Sequence, residues 1–416
     1  MNSFVFFLAL VASPVMAQPV CPNAKDSLPD PHRAAGAPDP RNPIEHVIIV
    51  MQENHSFDNY FGRLNQPGFY GAGVDGVTGT NANPGKGGEA VHAYHEKTVC
   101  VDDPEHDWNA IHREWNGGRM DGFVAVNGEK AMGYYDQRDI PFYYDLANKF
   151  AIGDRYFCSS LTQTFPNRFY LYAGTSFGHV KNDLPIPGID YKQETLFDRL
   201  DKYGVSWKYY KDGMGYLDLF QPLRNRDREK IVGLDQFAVD LQTGALPQVV
   251  VLDSDFEKGQ DEHPKANIQT GQQWLAERIG EFSASPYWRS GVLFVTYDEG
   301  GGFYDHVAPP AACLPDDVEP RLGSSDVPGR FDRLGVRVPF IAISPYVKHH
   351  FVSHATYDHT SILKFVEMKW NLPALTIRDA NADGFSDLFD FANPNFTVKP
   401  DPSLAKVEEV CDPSVE

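Results

Sequence analysis

An excess of basic charge is missing from this chain of 416 residues. Lys and Arg total 37 against 57 Asp and Glu, a net charge of −20. That balance excludes nucleic-acid partners, whose binding needs clustered cations. It also disfavours tight attachment to strongly anionic membranes. Zwitterionic lipids, neutral substrates and small phosphate esters stay open. Cysteine is scarce: Cys21, Cys100, Cys158, Cys313 and Cys411 lie far apart and form no CxxC. A cysteine-held metal cluster is thereby excluded, and an odd number leaves at least one thiol unpaired. Their positions do not specify the pairing, and position alone gives Cys158 no nucleophilic role. There is no internal repeat and no low-complexity tract. Beyond the first residues no apolar run is long enough to span a bilayer. What remains is an ordinary globular composition, 42% hydrophobic and 23% charged, in a chain long enough for one large core with insertions.

Residues 1–17 read as an export signal, with an apolar run from Phe4 to Ala12 and small residues at Val15 and Ala17. Cleavage after Ala17 predicts a secreted or periplasmic protein starting at Gln18. Residues 18–43, rich in Pro, Asp and Ala, read as an extended arm. Residues 44–416 read as a single catalytic domain. Within it, apolar β-type runs recur at Val47–Val50, Val205–Tyr210, Pro247–Leu252, Val292–Tyr297 and Val336–Ile343. Helical patterns at Thr195–Tyr203, Gly271–Phe282 and Thr360–Trp370 alternate with them. The alternation predicts an α/β fold with a mostly parallel central sheet covered by helices. Gly62–Glu89 and the proline-rich stretch 304–333 read as long surface insertions.

Two of the apolar runs end in pairs of oxygen donors. Val47–Val50 leads into Glu53-Asn54, and Val292–Tyr297 leads into Asp298-Glu299-Gly-Gly-Gly. Open α/β sheets place their chemistry at strand ends, and such pairs can converge on one divalent cation. Glu53, Asn54, Asp298 and Glu299 are therefore the candidate metal ligands. Mixed carboxylate, amide and imidazole donors suit zinc, with calcium and manganese also compatible. Thr164 precedes Phe165-Pro166 at a candidate helix start, where a hydroxyl and an anionic phosphate both gain from the helix dipole. The competing reading makes Thr164 an ordinary helix cap. His106, His263 and His354 supply candidate proton chemistry. Asp379–Asp390 has EF-hand spacing, with Asp390 in place of the usual Glu, but no flanking helix pair.

Taken together these motifs mark a family. The chain resembles bacterial phospholipases C and acid phosphatases of the phosphoesterase family, which share the alkaline-phosphatase-like fold. The resemblance rests on Glu53-Asn54-x-Ser56-Phe57-Asp58-x-Tyr60-Phe61-Gly62, Trp115 to Phe123, Thr164-x-Pro166-Asn167-Arg168, Asp261-Glu-His-Pro264, Asp298 to His306, and Tyr357 to Glu367. It implies a threonine nucleophile at Thr164, a metal among Glu53, Asn54, Asp298 and Glu299, and a phosphate faced by His106 and His263. It also implies a phospholipid substrate at a membrane surface, with phosphatidylcholine cut to diacylglycerol and phosphocholine. Trp108, Trp115, Tyr134 and Tyr135 are available for a trimethylammonium cage. The alternative is an acid phosphatase acting on soluble phosphomonoesters. A catalytically silent lipid-binding protein on the same scaffold would be expected to lack the acid pairs or the hydroxyl. His55 and Asn59 depart from the family pattern, where relatives often carry Arg and His.

Overall fold

The computed structural model describes residues 19–185 and 191–411. The proposed signal segment lies outside them. Eight strands form the central sheet: β1 (His46–Gln52), β2 (Ala151–Gly153), β3 (Trp207–Lys211), β4 (Ile231–Gly233), β5 (Val249–Asp253), β6 (Gly291–Tyr297), β7 (Phe340–Ile343) and β8 (Phe351–Ser353). Their order across the sheet is β8-β2-β7-β6-β1-β5-β3-β4. β7 is antiparallel to both its neighbours, and every other pairing is parallel. β1 and β6 are buried almost end to end, as expected of strands covered on both faces. The five strong apolar runs all become strands. β2, β4 and β8 escape the sequence pattern because each is only three residues long.

Six helices position the site or brace its surroundings: α1 (Phe57–Tyr60), α2 (Trp108–Trp115), α3 (Thr164–Ala173), α4 (Leu196–Lys202), α5 (Ile268–Ala284) and α6 (His359–Trp370). α4 starts with a capping box in which the side chains of Thr195 and Asp198 satisfy each other's backbone. α6 packs against α3, and its apolar residues Ile362, Leu363 and Val366 join the main core. Among the described residues, no helix is long and apolar enough to cross a membrane.

The arm does not hang free. Asp26 N donates to the Ala374 carbonyl at 2.9 Å, Asn371 Oδ1 accepts from Asp30 N at 2.9 Å, and Lys369 Nζ donates to the Asn42 carbonyl at 2.6 Å. The arm thus lies along the end of α6. A disulfide between Cys21 and Cys313 joins it to the 304–333 segment, and a second joins Cys100 to Cys411. Cys158 is free and buried, and burial holds its thiol well above the usual range. The Asp379–Asp390 stretch is not a calcium loop. Asp379 accepts from Leu375 N and Thr376 N at 2.6 and 2.8 Å, whereas Asp387 accepts from Ser353 Oγ at 2.8 Å, so the carboxylates serve separate structural partners.

The Cys21–Cys313 bridge closes a loop of 292 residues in sequence. Replacing both cysteines with serine should lower unfolding stability by about 2–4 kcal/mol, read from urea denaturation of the oxidised protein. An unchanged midpoint would show that the hydrogen bonds hold the arm without help.

Candidate active site

Three adjacent strands, β6, β1 and β5, end side by side and deliver acids to one place. Gln52 of β1 pairs with Tyr297 of β6, so Glu53-Asn54 and Asp298-Glu299 leave the sheet in register. Asp298 N donates back to the Gln52 carbonyl at 3.1 Å. β5 contributes Asp253 at its last position. The loop after it contributes Asp261, whose carbonyl accepts from Glu53 N at 2.8 Å.

Arg168 lies in the middle of these acids and is fully buried. Its Nη2 is 3.0 Å from Glu53 Oε1, its Nε 3.5 Å from Asp298 Oδ2, and its Nη1 3.6 Å from Asp253 Oδ1. The Tyr216 hydroxyl donates to Glu53, and the Tyr216 ring lies over the guanidinium at 3.8 Å. One guanidinium cannot neutralise Glu53, Asp253, Asp261, Asp298 and Glu299 together. Burial raises the Asp298 and Glu299 carboxyls well above the usual range, and the charge of Glu53 raises them further. Burial and Glu53 likewise push Asp261 up to about 7. Asp261 Oδ2 is buried without a hydrogen-bond partner. Unpaired carboxylates in a dry site call for another cation.

Asn54 and the histidines sharpen that requirement. One end of the Asn54 amide lies 2.9 Å from Asp298 Oδ1 and 3.2 Å from Glu299 Oε1, and the other lies 3.0 Å from His263 Nε2. His263 Nδ1 is 3.0 Å from the Pro264 carbonyl, which only accepts, so Nδ1 carries a proton. In a neutral ring Nε2 is then the acceptor, the Asn54 nitrogen faces it, and the Asn54 oxygen faces the two carboxylates. Oxygens of Asn54, Asp298 and Glu299 then face one another, a donor set that suits a divalent cation. The reversed amide needs an imidazolium at His263. The residues fit the metal that the sequence implies. His106 is arranged like His263. Its Nδ1 is 2.8 Å from the Pro104 carbonyl, its Nε2 is 3.7 Å from Glu299 Oε1, and the two imidazole rings are 5.9 Å apart. Each ring is oriented by a backbone carbonyl and offers its Nε2 to the site.

Thr164 is the first residue of α3 and is 3% exposed. The cap position is Gln163, so Thr164 does not spend its hydroxyl as a cap. Asn167, one residue before Arg168, holds the approach to the helix: its Nδ2 donates to the Thr162 carbonyl at 2.7 Å and its Oδ1 accepts from Ser160 N at 3.0 Å. Thr164 and Arg168 are four residues apart on one side of α3, and Arg168 is the residue of that helix that contacts Glu53 and Asp298.

His354 stands apart from this group. Its side chain is 63% exposed and its Nδ1 bonds Asp154 at 2.9 Å. It follows β8, three strand positions from β6, or about 14 Å at ordinary strand spacing. The histidine that does reach the centre is His359, whose Nε2 bonds the Asp298 carbonyl at 2.8 Å. The proposed aromatic cage is also dispersed: Trp108 and Tyr135 are core residues, Tyr134 lies under Arg63 and Trp115 under Arg333. Sequence reasoning gave no role to Arg168, Asp253, Asp261 or Tyr216. Arg168 had a readable signal, four residues after Thr164, and so had Asp253 at the end of an apolar run. Tyr216 had none, because it arrives from a distant loop.

Two buried networks hold the site's loops. Glu262 has φ +72°, a left-handed conformation that costs a non-glycine residue energy. Its carboxylate accepts from the hydroxyls of Tyr60, Tyr143 and Tyr297 at 2.8, 2.5 and 2.5 Å, and so pins the loop that carries Asp261 and His263. Its carbonyl lies 3.0 Å from His55 Nε2, and His55 Nδ1 lies 2.7 Å from Asn59 Oδ1. The two departures from the family pattern therefore form one unit. On the other side Gly301 (φ +62°) turns so tightly that a Cβ would sit 2.1 Å from the Asn54 carbonyl oxygen. Its N–H donates to Glu299 Oε2 at 2.6 Å. The segment beyond this turn, expected at the surface, starts inside. Asp305 is fully buried and accepts from Arg337 Nε at 2.9 Å, and Arg337 Nη2 donates to Asp58 Oδ1 at 3.0 Å. His306 Nδ1 bonds Asp58 at 2.6 Å and its Nε2 bonds Asp75 at 3.0 Å.

This network should be visible in stability against pH. Burial lowers the His306 imidazole, but its bond to Asp58 and the charges of Asp58 and Asp305 outweigh burial and raise it to about 9. A folded-state value above the unfolded ~6.5 stabilises fully below ~6.5, and that contribution is lost as pH rises through about 9. His306→Asn should cost on the order of 2 kcal/mol at neutral pH and flatten the fall in thermal midpoint between pH 7 and 9.5. An equal slope in both proteins would refute this assignment.

Comparison with known proteins identifies the family. The model of the Phosphoesterase family matches residues 44–373. Phospholipase C B of Mycobacterium tuberculosis is 31% identical over 418 residues, covering 86% of this chain and 80% of that protein. Non-specific phospholipase C1 of Arabidopsis thaliana is 32% identical over 399 residues, covering 86% of this chain and 72% of that one. Hemolytic phospholipase C of Pseudomonas aeruginosa is 31% identical over 431 residues, covering 86% of this chain but 57% of its own length. A solved structure of a protein in the alkaline phosphatase superfamily from Vibrio parahaemolyticus aligns with a TM-score of 0.40 at 10% identity, over 91% of this chain and 75% of that one, a likeness too slight to bear on function. With a family match over most of its length, the chain belongs to the phosphoesterase family and is a phosphoric diester hydrolase.

Proposed function

We propose that this protein is an exported phospholipase C that cleaves phosphatidylcholine-type lipids to diacylglycerol and phosphocholine through Thr164. The reading is supported by the amide of Asn54 lying against Asp298, Glu299 and His263 Nε2, by His106 Nε2 near Glu299, and by the register that brings the ends of β1 and β6 together. The named relatives, phospholipases C from bacteria and a plant, favour a phospholipid diester as substrate. Two disulfides suit an oxidising compartment, either periplasmic or extracellular.

A divalent cation held by Glu53, Asn54, Asp298 and Glu299, zinc in preference to calcium or manganese, would lower the pKa of the Thr164 hydroxyl and withdraw charge from the phosphate oxygens. Thr164 Oγ1 attacks phosphorus in line with the diacylglycerol oxygen, forming the phosphothreonine ester as the P–O bond to diacylglycerol breaks. As it attacks, the Thr164 hydroxyl gives its proton to the unprotonated Nε2 of His263 or His106, and that nitrogen passes the proton to the leaving diacylglycerol oxygen. Each ring's Nδ1 is committed to a backbone carbonyl, so Nε2 is the nitrogen that gives the proton up. Water, deprotonated in turn by the same imidazole, then attacks the phosphothreonine, and phosphocholine leaves with Thr164 restored. Arg168 keeps Glu53 and Asp298 in place beneath the reacting phosphate. His354 takes no part in this scheme.

The test compares phosphocholine release from phosphatidylcholine with phosphate release from small monoesters. Thr164→Ala should lose about 10⁴-fold in kcat while retaining bound metal by elemental analysis. Glu53→Ala should lose both metal and activity, and chelation followed by metal add-back should reproduce that loss and restore activity in the unmodified protein. Release of inorganic phosphate alone would replace the phospholipase reading with that of an acid phosphatase. Full turnover by both variants would remove the site assignment.

A further inference from the structure

The mouth of the site carries apolar side chains that the chemistry does not use. Met214 is 65% exposed and Phe256 is 57% exposed, the two large apolar side chains that the loops next to the acids present to solvent. They stand on two loops that leave the carboxyl ends of β3 and β5. Asp212 N donates to the Asp253 carbonyl at 3.2 Å, Tyr216 N donates to Asp253 Oδ2 at 3.1 Å, and a Cβ on Gly213 would lie 3.0 Å from Asp255 Oδ1. Lys258 bridges the loops with ion pairs to Asp212 at 2.8 Å and Asp255 at 3.1 Å. The two exposed side chains therefore ride on one braced unit. Both loops also reach the reacting centre. Phe256 meets the His263 ring edge to face at 5.2 Å, and two residues beyond Met214 the Tyr216 hydroxyl bonds Glu53. Phe165, beside Thr164 and 5.6 Å from the Tyr216 ring, continues the aromatic wall between them.

We propose that Met214 and Phe256 form a lip that enters the acyl-chain edge of a zwitterionic phospholipid surface and seats the site over a lipid phosphate. The inference rests on the phospholipid reading above and names the surface on which that site works. A diester whose alcohol remains in the bilayer must be reached from the water side, so the rim of the pocket has to meet hydrocarbon. Apolar side chains at that rim gain free energy there, whereas in water they gain none. Charge selects the kind of surface. Lys211 and Lys258, the cations flanking the two apolar residues, are already paired with aspartates. Glu257 is exposed next to Phe256, and the whole chain carries −20. The balance at the lip therefore gives anionic headgroups no advantage.

Binding can be measured apart from catalysis by using the full chain with Thr164→Ala, which leaves vesicles intact. Co-sedimentation with phosphatidylcholine vesicles should weaken about tenfold on adding Met214→Ser or Phe256→Ser, and further with both. Replacing part of the phosphatidylcholine with phosphatidylglycerol should also weaken binding. Equal vesicle binding by the parent and the doubly substituted protein, with unchanged thermal midpoints, overturns the proposal, as does stronger binding to the anionic vesicles. Hydrolysis of short-chain phosphatidylcholine below its micellar concentration separates the two readings. With Thr164 present, Met214→Ser should lose activity on vesicles several-fold more than on this monomeric substrate, and an equal loss on both overturns the lip. An unmodified enzyme that cleaves neither form refutes the phospholipase reading while the sedimentation result still decides the lip.

Discussion

The arrangement of this site depends on how its buried negative charge is compensated. Glu53, Asp253, Asp261, Asp298 and Glu299 gather where three strands end, and among the described residues Arg168 is the guanidinium set between them. A charge taken out of water costs several kcal/mol unless it is paired, so this many carboxylates cannot all stay ionised around a single guanidinium. Burial answers by raising Asp298, Glu299 and Asp261, and the opposed oxygens of Asn54, Asp298 and Glu299 leave a place that suits a divalent cation. The energetic cost of the uncompensated cluster is what a cation held there would relieve.

Such a cluster persists only if its loops cannot relax away from it. On one side three tyrosine hydroxyls hold the Glu262 carboxylate and with it the left-handed backbone that presents Asp261 and His263. On the other, Gly301 lets the chain pass against the Asn54 carbonyl, and Arg337 with Asp58, Asp305 and His306 locks the segment after the turn. α3 closes the arrangement by carrying Arg168 into the acids, four residues after Thr164 at the start of the same helix. Rigid support for reactive groups is what keeps a developing charge stabilised without reorganisation.

Outside the polar centre the character of the surface changes abruptly. Phe165 packs on Tyr216 and Phe256 on His263, and Met214 and Phe256 are exposed on the loops that follow β3 and β5. In the proposed lip these apolar side chains would supply attraction that does not depend on charge.

Much of this was legible in the sequence because the strongest signals are local. Apolar β-type runs marked β1, β3, β5, β6 and β7, and pairs of oxygen donors directly after two of them marked the strand ends that meet. Thr164 and Arg168 stood four residues apart within one motif. Pairing is a different kind of information. Which cysteines join, that Tyr216 reaches Glu53 across 163 positions, and that His359 rather than His354 meets Asp298 all depend on which strands become neighbours. A side chain's chemistry is fixed by its residue type, whereas its partner is chosen by sheet order, and three-residue strands such as β2 and β8 carry too little pattern to reveal that order in advance.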